Sequence, residues 1–290
     1  MFPVFRVDRK CAIAPEQLGS KSKFWFQDGT RHMLFKAEER GTGEDWAEKI
    51  TECLCGLLGV PHVNYQLAEL YDGERFVQPG VVCESCAPTP MALVLGNQLL
   101  LAFDESYPAQ HNRKYKVREH TIQAVVEVVR ALLLPPPNWL AETPPGIEGA
   151  LDVFAGYLLL DAWTANQDRP HENWGAVWDG TDMRLAPTFD HGAGLARNLK
   201  DAEREERLRT KDRSRTIPFF AGRARSAFYK HELDTKPLPT VEAFVEFQTS
   251  AQKAAQIWLG RLAKIDRAAV QQILEEVPEN RMSPFPRSSR

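Results

Sequence analysis

At 290 residues, 43% hydrophobic and with ordinary glycine and proline contents, the chain holds enough apolar material for one large domain or two lobes, which excludes collagen-like and globally disordered classes. A formal net charge of -3 gives no general attraction to nucleic acid or to an anionic membrane, so direct DNA binding is not expected. Arg6, Asp8, Arg9 and Lys10 interrupt the first apolar residues and no later apolar run is long enough to span a bilayer, so a cytoplasmic protein with neither signal peptide nor transmembrane segment is expected.

In chain order, Gly19-Ser20-Lys21-Ser22 is a small-residue loop able to turn backbone N–H groups toward phosphates. It feeds two β-prone runs, 23–27 and 31–36, around an Asp28-Gly29 turn signal, which predicts a hairpin ending near Lys36. Residues 44–58 carry Trp46, Ile50, Leu54 and Leu58 at helical spacing before Gly59 and Pro61, and Glu48 falls inside that helix. Short strands are expected at 67–70, 76–77 and 81–82, separated by turns at Asp72-Gly73 and Pro79-Gly80. The five cysteines, Cys11, Cys53, Cys55, Cys83 and Cys86, fit no disulfide framework; Cys83-Glu84-Ser85-Cys86 lacks the second pair of a zinc site, so free thiols are expected.

From about residue 88 the pattern changes to longer helices, at 120–134 before Pro135-Pro136-Pro137 and at 147–163. The second of these leads into Asn166-Gln167-Asp168-Arg169-Pro170-His171-Glu172-Asn173, and Pro187-Thr188-Phe189-Asp190-His191-Gly192 follows a second predicted hairpin at 174–185. That hairpin would bring Asp168, Asn173 and Asp190 to one end of a small structure. Residues 197–230 hold eleven Lys/Arg against five Asp/Glu, either a solvated loop or a segment that binds an acidic partner. Amphipathic helices at 241–265 and 268–277 close the chain before a tail expected to be disordered.

An acid, an amide five residues on and a second acid beyond it suit phosphoryl transfer, which needs positioning and charge neutralisation more than covalent chemistry. In that reading Asp168 is the base for an acceptor hydroxyl, and Asn173 and Asp190 offer the hard oxygen ligands that suit magnesium. Lys36, paired with Glu48, meets the nucleotide phosphates, and Gly19, Ser20, Lys21 and Ser22 join them at the cofactor site.

These motifs resemble the HipA-like kinases, a branch of the protein-kinase-like fold distantly similar to phosphatidylinositol kinases. The resemblance rests on Gly19 to Lys23, Leu34-Phe35-Lys36, Glu48, Leu58 to Pro61, Asn166 to Gly175 and Arg184 to Asp190, over most of residues 15–195. It implies an α+β, two-lobed architecture: a β-rich lobe over 1–90, a mainly helical lobe over 91–280 and a tail over 281–290. It also implies ATP- and Mg2+-dependent phosphorylation of protein Ser/Thr, with Asp168 catalytic, Asn173 and Asp190 on magnesium and Lys36 on the phosphates. Ser20 and Ser22 are candidate autophosphorylation sites. Asn166-Gln167-Asp168 and Asp190-His191-Gly192 replace the His-Arg-Asp and Asp-Phe-Gly triplets of eukaryotic protein kinases, and a compact form lacking the N-terminal antitoxin-contacting region is expected. The other readings are a lipid or small-molecule kinase, a non-catalytic kinase-like binding module, and a metal-dependent hydrolase using Asp168, His171, Asp190 and His191.

Overall fold

A computed structural model describes residues 1–15, 22–109 and 117–283. Val4–Asp8 (β1), Ala12–Pro15 (β2), Lys23–Asp28 (β3), Arg31–Ala37 (β4), Tyr65–Asp72 (β5) and Arg75–Glu84 (β6) form a sheet of order β1-β5-β6-β4-β3-β2. β1 runs parallel to β5 and the other pairs are antiparallel. The β3–β4 hairpin has Asp28 opposite Arg31, so its turn residues are Gly29 and Thr30.

Because side chains alternate across a strand, β3 and β4 send Phe24, Phe26, Met33 and Phe35 to one apolar face. Their intervening positions, Trp25, Leu34 and Lys36, join Tyr65 and Cys83 on the opposite face, where a cavity opens. Glu44–Leu58 (α1) follows β4 and packs against β5 and β6. The turn expected at Pro79-Gly80 does not form: β6 runs straight through, with Glu69 opposite Pro79 and Ala37 opposite Gly80. A Cβ at Gly80 would run into the carbonyl of Lys36 and the Phe35 ring, so the glycine serves close strand approach rather than a turn.

The second half is built on Ala150–Thr164 (α4), apolar on nearly all sides and therefore central rather than amphipathic. Gly96–Phe103 (α2), Ile122–Arg130 (α3), Thr240–Phe247 (α7), Gln252–Leu262 (α8) and Arg267–Glu275 (α9) belong to this half; α3, α7 and α8 pack on α4. Asp201–Arg209 (α5) and Ile217–Gly222 (α6) lie between the second hairpin and α7. The helix expected over 120–134 is only α3, because the chain turns at Ala131 so that Leu133 can bond Met183 and Leu185. The helix expected over 241–265 is broken into α7 and α8 by a 3-10 turn and the extended φ of Ala251.

Gly175–Trp178 (β8) and Met183–Leu185 (β9) form the second hairpin, and Ala92–Leu95 (β7) adds to β8 although helices were expected from residue 88. A Cβ at Gly175 would strike the Val94 carbonyl, so this glycine lets β7 close on β8. The expected tail begins with packed residues: Arg281 and Met282 are buried against the fold. Among the described residues no helix is long and apolar enough to cross a membrane.

Candidate functional site

The cleft face of the first sheet, the 85–91 connection and the loops around β8 and β9 enclose a cavity of about 500 Å³. Lys36, Tyr65, Asn173 and Asp190 line it, with Leu34 and Phe189 among its apolar walls. Trp25 and His32 stack at 4.5 Å and also line it. The Lys36 Nζ lies 3.3 Å from Glu48 Oε1, 3.3 Å from Asp190 Oδ1 and 3.1 Å from the Tyr65 hydroxyl. Tyr65 also accepts the Asp190 backbone N–H at 3.2 Å.

Burial opposes the Lys36 charge, but Asp190, Tyr65 and Glu48 outweigh it, so the ammonium is held well above the ordinary lysine value. Burial pushes the Glu48 carboxyl up to about 7; Lys36 pulls it down and Asp190 adds to the rise. Glu48 uses its second oxygen to accept the His191 N–H at 2.8 Å, tying α1 to the loop that carries Asp190. Asp190 takes a left-handed φ of 60°, a strain that aspartate tolerates better than most residues.

Two arginines hold the first turn of α1, one turn before Glu48. Arg197, beyond the Asp190 loop, bonds Glu44 Oε1 at 2.5 Å and the Thr42 hydroxyl. Arg281 bonds Asp45 Oδ2 at 2.7 Å and the Ala68 carbonyl at 2.8 Å, with only 4% and 3% of the arginine and aspartate side chains exposed. Removing one partner strands a buried charge, so Arg281→Ala is expected to cost about 3–5 kcal/mol in a urea titration. The double variant Arg281→Met/Asp45→Asn should recover most of the loss; equal instability of single and double variants would contradict this origin.

Ala165 caps α4 with a φ of 52° and starts the motif loop. Asn166 Nδ2 donates to Asp161 Oδ1 at 2.8 Å, and Arg169 grips both Asp161 oxygens, the NH2 bond being 2.8 Å. Arg169 NH1 reaches on to the Asn173 carbonyl at 3.1 Å. Asn173 Nδ2 donates to the Asp168 carbonyl at 2.9 Å, which leaves Oδ1 as the amide atom a cation could use. Asp168 is half-buried; Asn173, which bonds its carbonyl, lines the first cavity, and its chain neighbour Gln167 lines a second of about 320 Å³.

The histidines of the hydrolase reading turn inward. His171 Nδ1 bonds the Tyr107 hydroxyl at 2.6 Å and His191 Nε2 bonds the Thr188 hydroxyl at 2.9 Å, each residue 1% exposed. His120 backs this layer, accepting the Trp174 indole N–H on Nε2 at 3.1 Å and donating from Nδ1 to the Ala227 carbonyl. Burial, with His171 alongside, pulls His120 down to about 3, and burial with Arg169 nearby holds His191 well below the ordinary histidine value.

A depressed histidine contributes stability above its unfolded value near 6.5 that is lost as pH falls. Glu48, raised to about 7, acts in the opposite sense between 7 and 4.5. The two depressed histidines oppose the raised Glu48 and, toward lower pH, the Asp45 carboxyl that burial also raises, and the net expectation is a loss of stability as pH falls from about 6.5 toward 5. Urea midpoints across that window should fall; a flat or rising profile would contradict it.

Of the residues singled out by sequence, Lys36, Glu48, Asn173 and Asp190 come together at the cleft, and Asp168 joins through its main chain. Gly19, Ser20 and Lys21 lie outside the described residues. Ser22 pairs through its backbone with Ala37 and Glu39. Sequence reasoning missed Tyr65, Asp161, Arg169, Arg197 and Arg281. Asp161 and Arg169 carried a usable signal, since an acid inside an all-apolar helix requires a cationic partner.

No protein-family model and no curated protein matches the sequence. Among solved structures, the Helicobacter pylori proinflammatory kinase CtkA aligns with a TM-score of 0.63 and 15% identity, over 95% of this chain and 88% of that one. A chain of the Shewanella oneidensis toxin–antitoxin complex of HipA, HipB and operator DNA aligns with a TM-score of 0.53 and 13% identity; the match covers 91% of this chain and 60% of that chain. The fold is therefore protein-kinase-like, a β-rich lobe on a mainly helical one.

Proposed function

We propose that this protein is a cytoplasmic, ATP- and magnesium-dependent kinase that transfers the γ-phosphate to serine or threonine hydroxyls of a protein, its own chain included. The observation that carries the reading is one lysine, Lys36, held between Glu48 and Asp190 at the wall of the large cavity, with Asn173 on the same wall. The likeness to a proinflammatory kinase and to a chain of a HipA toxin–antitoxin complex supports it.

Phosphoryl transfer asks the protein to hold the phosphates, neutralise charge and align the acceptor. Lys36 stays cationic across the physiological range and meets the phosphate oxygens. Asn173 Oδ1 and the Asp190 carboxylate fit a hard divalent cation, because the Asn173 Nδ2 is already committed and Asp190 lines the cavity. A bound magnesium supplies charge neutralisation on the phosphates. Asp168 accepts the proton as the hydroxyl oxygen bonds to the γ-phosphorus; the bond to the bridging oxygen breaks and ADP leaves.

Phosphoproteomes of cells expressing the chain or its Asp190→Ala variant test the acceptor class. Serine and threonine sites present only with the intact chain are expected. Identical sets would contradict a protein acceptor.

A further inference from the structure

The second cavity shares no lining residue with the first, and its lining differs in character. Arg207, Arg223, Phe219, Phe220, Ser214 and Gln167 border it, and no carboxylate does. Arg207 stacks 4.8 Å over the Phe220 ring and Arg223 stacks 5.2 Å over Phe219, so each guanidinium has a face covered and offers its N–H groups along its edge. Arg207 gives NH2 to Glu203 at 2.7 Å and NH1 to the Arg215 carbonyl, while its buried Nε has no hydrogen-bond partner among the described residues.

Within the surrounding segment Glu203 offsets Arg207, which leaves Arg223 as the cation the cavity presents. Three of the segment's five carboxylates, Asp201, Glu203 and Glu206, are tied to Arg204, Arg207 and Arg215 respectively, and a fourth, Asp212, accepts from the Ser214 N–H and hydroxyl. No carboxylate pairs with Arg223 among the described residues, and this exposed residue sits in a stretch with eleven Lys/Arg against five Asp/Glu. Gln167, next to Asp168 in the chain, lines this cavity, while Asn173, bonded to the Asp168 carbonyl, lines the first.

We propose that this cavity is an oxyanion subsite that receives a carboxylate or phosphate group carried by the protein acceptor next to the hydroxyl it presents. The assignment to the acceptor rests on the kinase reading above. Charge complementarity calls for an anion, and the ring-walled concavity of about 320 Å³ suits one side chain rather than a planar lipid surface. A carboxylate gripped by Arg223 fixes the neighbouring hydroxyl relative to Asp168 and so contributes to orientation as well as affinity.

The test uses the full chain and serine peptides that differ only beside the serine, with Asp, Asn, phosphoserine or Lys. Wild type should favour the Asp and phosphoserine peptides over the Asn peptide by about tenfold in kcat/KM. Arg223→Glu should reverse the order toward Lys while leaving the rate on the Asn peptide unchanged, and Arg223→Lys should retain part of the preference. The relative strength of the Asp and phosphoserine arms distinguishes the two anion sources. Without ATP, free O-phosphoserine should bind wild type saturably and Arg223→Glu not at all. Transfer to every peptide with no discrimination and no phosphoserine binding would overturn the subsite and leave the kinase reading intact. Phosphoserine binding that depends on Arg223, with no transfer to any peptide by wild type or by Asp168→Asn, would overturn the acceptor role together with that reading. Arg223-dependent binding to phosphatidylserine vesicles without peptide discrimination would overturn the proposal in favour of a membrane surface.

Discussion

Asp168→Asn lowers γ-phosphate transfer by about 10²- to 10⁴-fold while MgATP affinity and thermal stability stay close to those of wild type. The expectation follows from what the loop hangs on. The Asp168 backbone N–H donates to Asn166 Oδ1 at 3.3 Å and its carbonyl accepts from Asn173 Nδ2 at 2.9 Å, and these two are main-chain bonds that asparagine preserves. What the substitution removes is a carboxylate able to take a proton from an incoming hydroxyl. The loss should therefore fall on kcat, and equally on kcat/KM, as for an interaction made in the transition state. A rise in KM with kcat unchanged would assign Asp168 to substrate binding instead.

Asp161→Asn is expected to destabilise the protein by about 3–5 kcal/mol and to depress kcat as well. Asp161 and Arg169 have 5% and 1% of their side chains exposed, and the guanidinium spans from both Asp161 oxygens to the Asn173 carbonyl. An amide in place of the carboxylate leaves a buried cation unneutralised and turns a donor toward another donor. The same pair sets where the loop runs between Asp168 and Asn173. Asp161→Leu/Arg169→Met separates the two effects: burying apolar groups instead of the ion pair should restore much of the urea midpoint but not the rate. Recovery of both would reduce the pair to a packing element.

Local signals were legible where they were strong and uncontradicted. The helix read over 44–58 is α1 to the residue, because its apolar face and the left-handed Gly59 after it agree on where it ends. The β3–β4 hairpin placed Lys36 near the end of a strand, and alternation alone then turned it to the cleft. Pro79-Gly80 misled because the composition of a turn is also that of a strand crossed closely by its neighbour. Ala92 to Leu95 is too short to distinguish strand from helix by periodicity, and only pairing with β8 decides it.

Tyr65 and Arg281 were missed for another reason. Tyr65 reaches Lys36, and Arg281 reaches Asp45, across 29 and 236 residues of chain, and such contacts leave no local pattern. The positive φ values at Ala165, Asp190, Leu195 and Ala196 were equally invisible, since alanine and leucine rarely adopt them. All four flank the two loops, and Leu195 N–H bonds the Thr164 carbonyl at 2.7 Å, so the strained stretches brace each other beside the cleft.

The most direct test is to incubate the purified chain with ATP and magnesium, with and without a generic protein acceptor, and to follow ADP by chromatography and protein phosphate by mass spectrometry. The account predicts ADP and phosphorylated serine or threonine with wild type, and neither with Asp190→Ala or when magnesium is withheld. MgATP bound at the cleft with no ADP and no phosphoprotein formed, or equal products from wild type and Asp190→Ala, would contradict it.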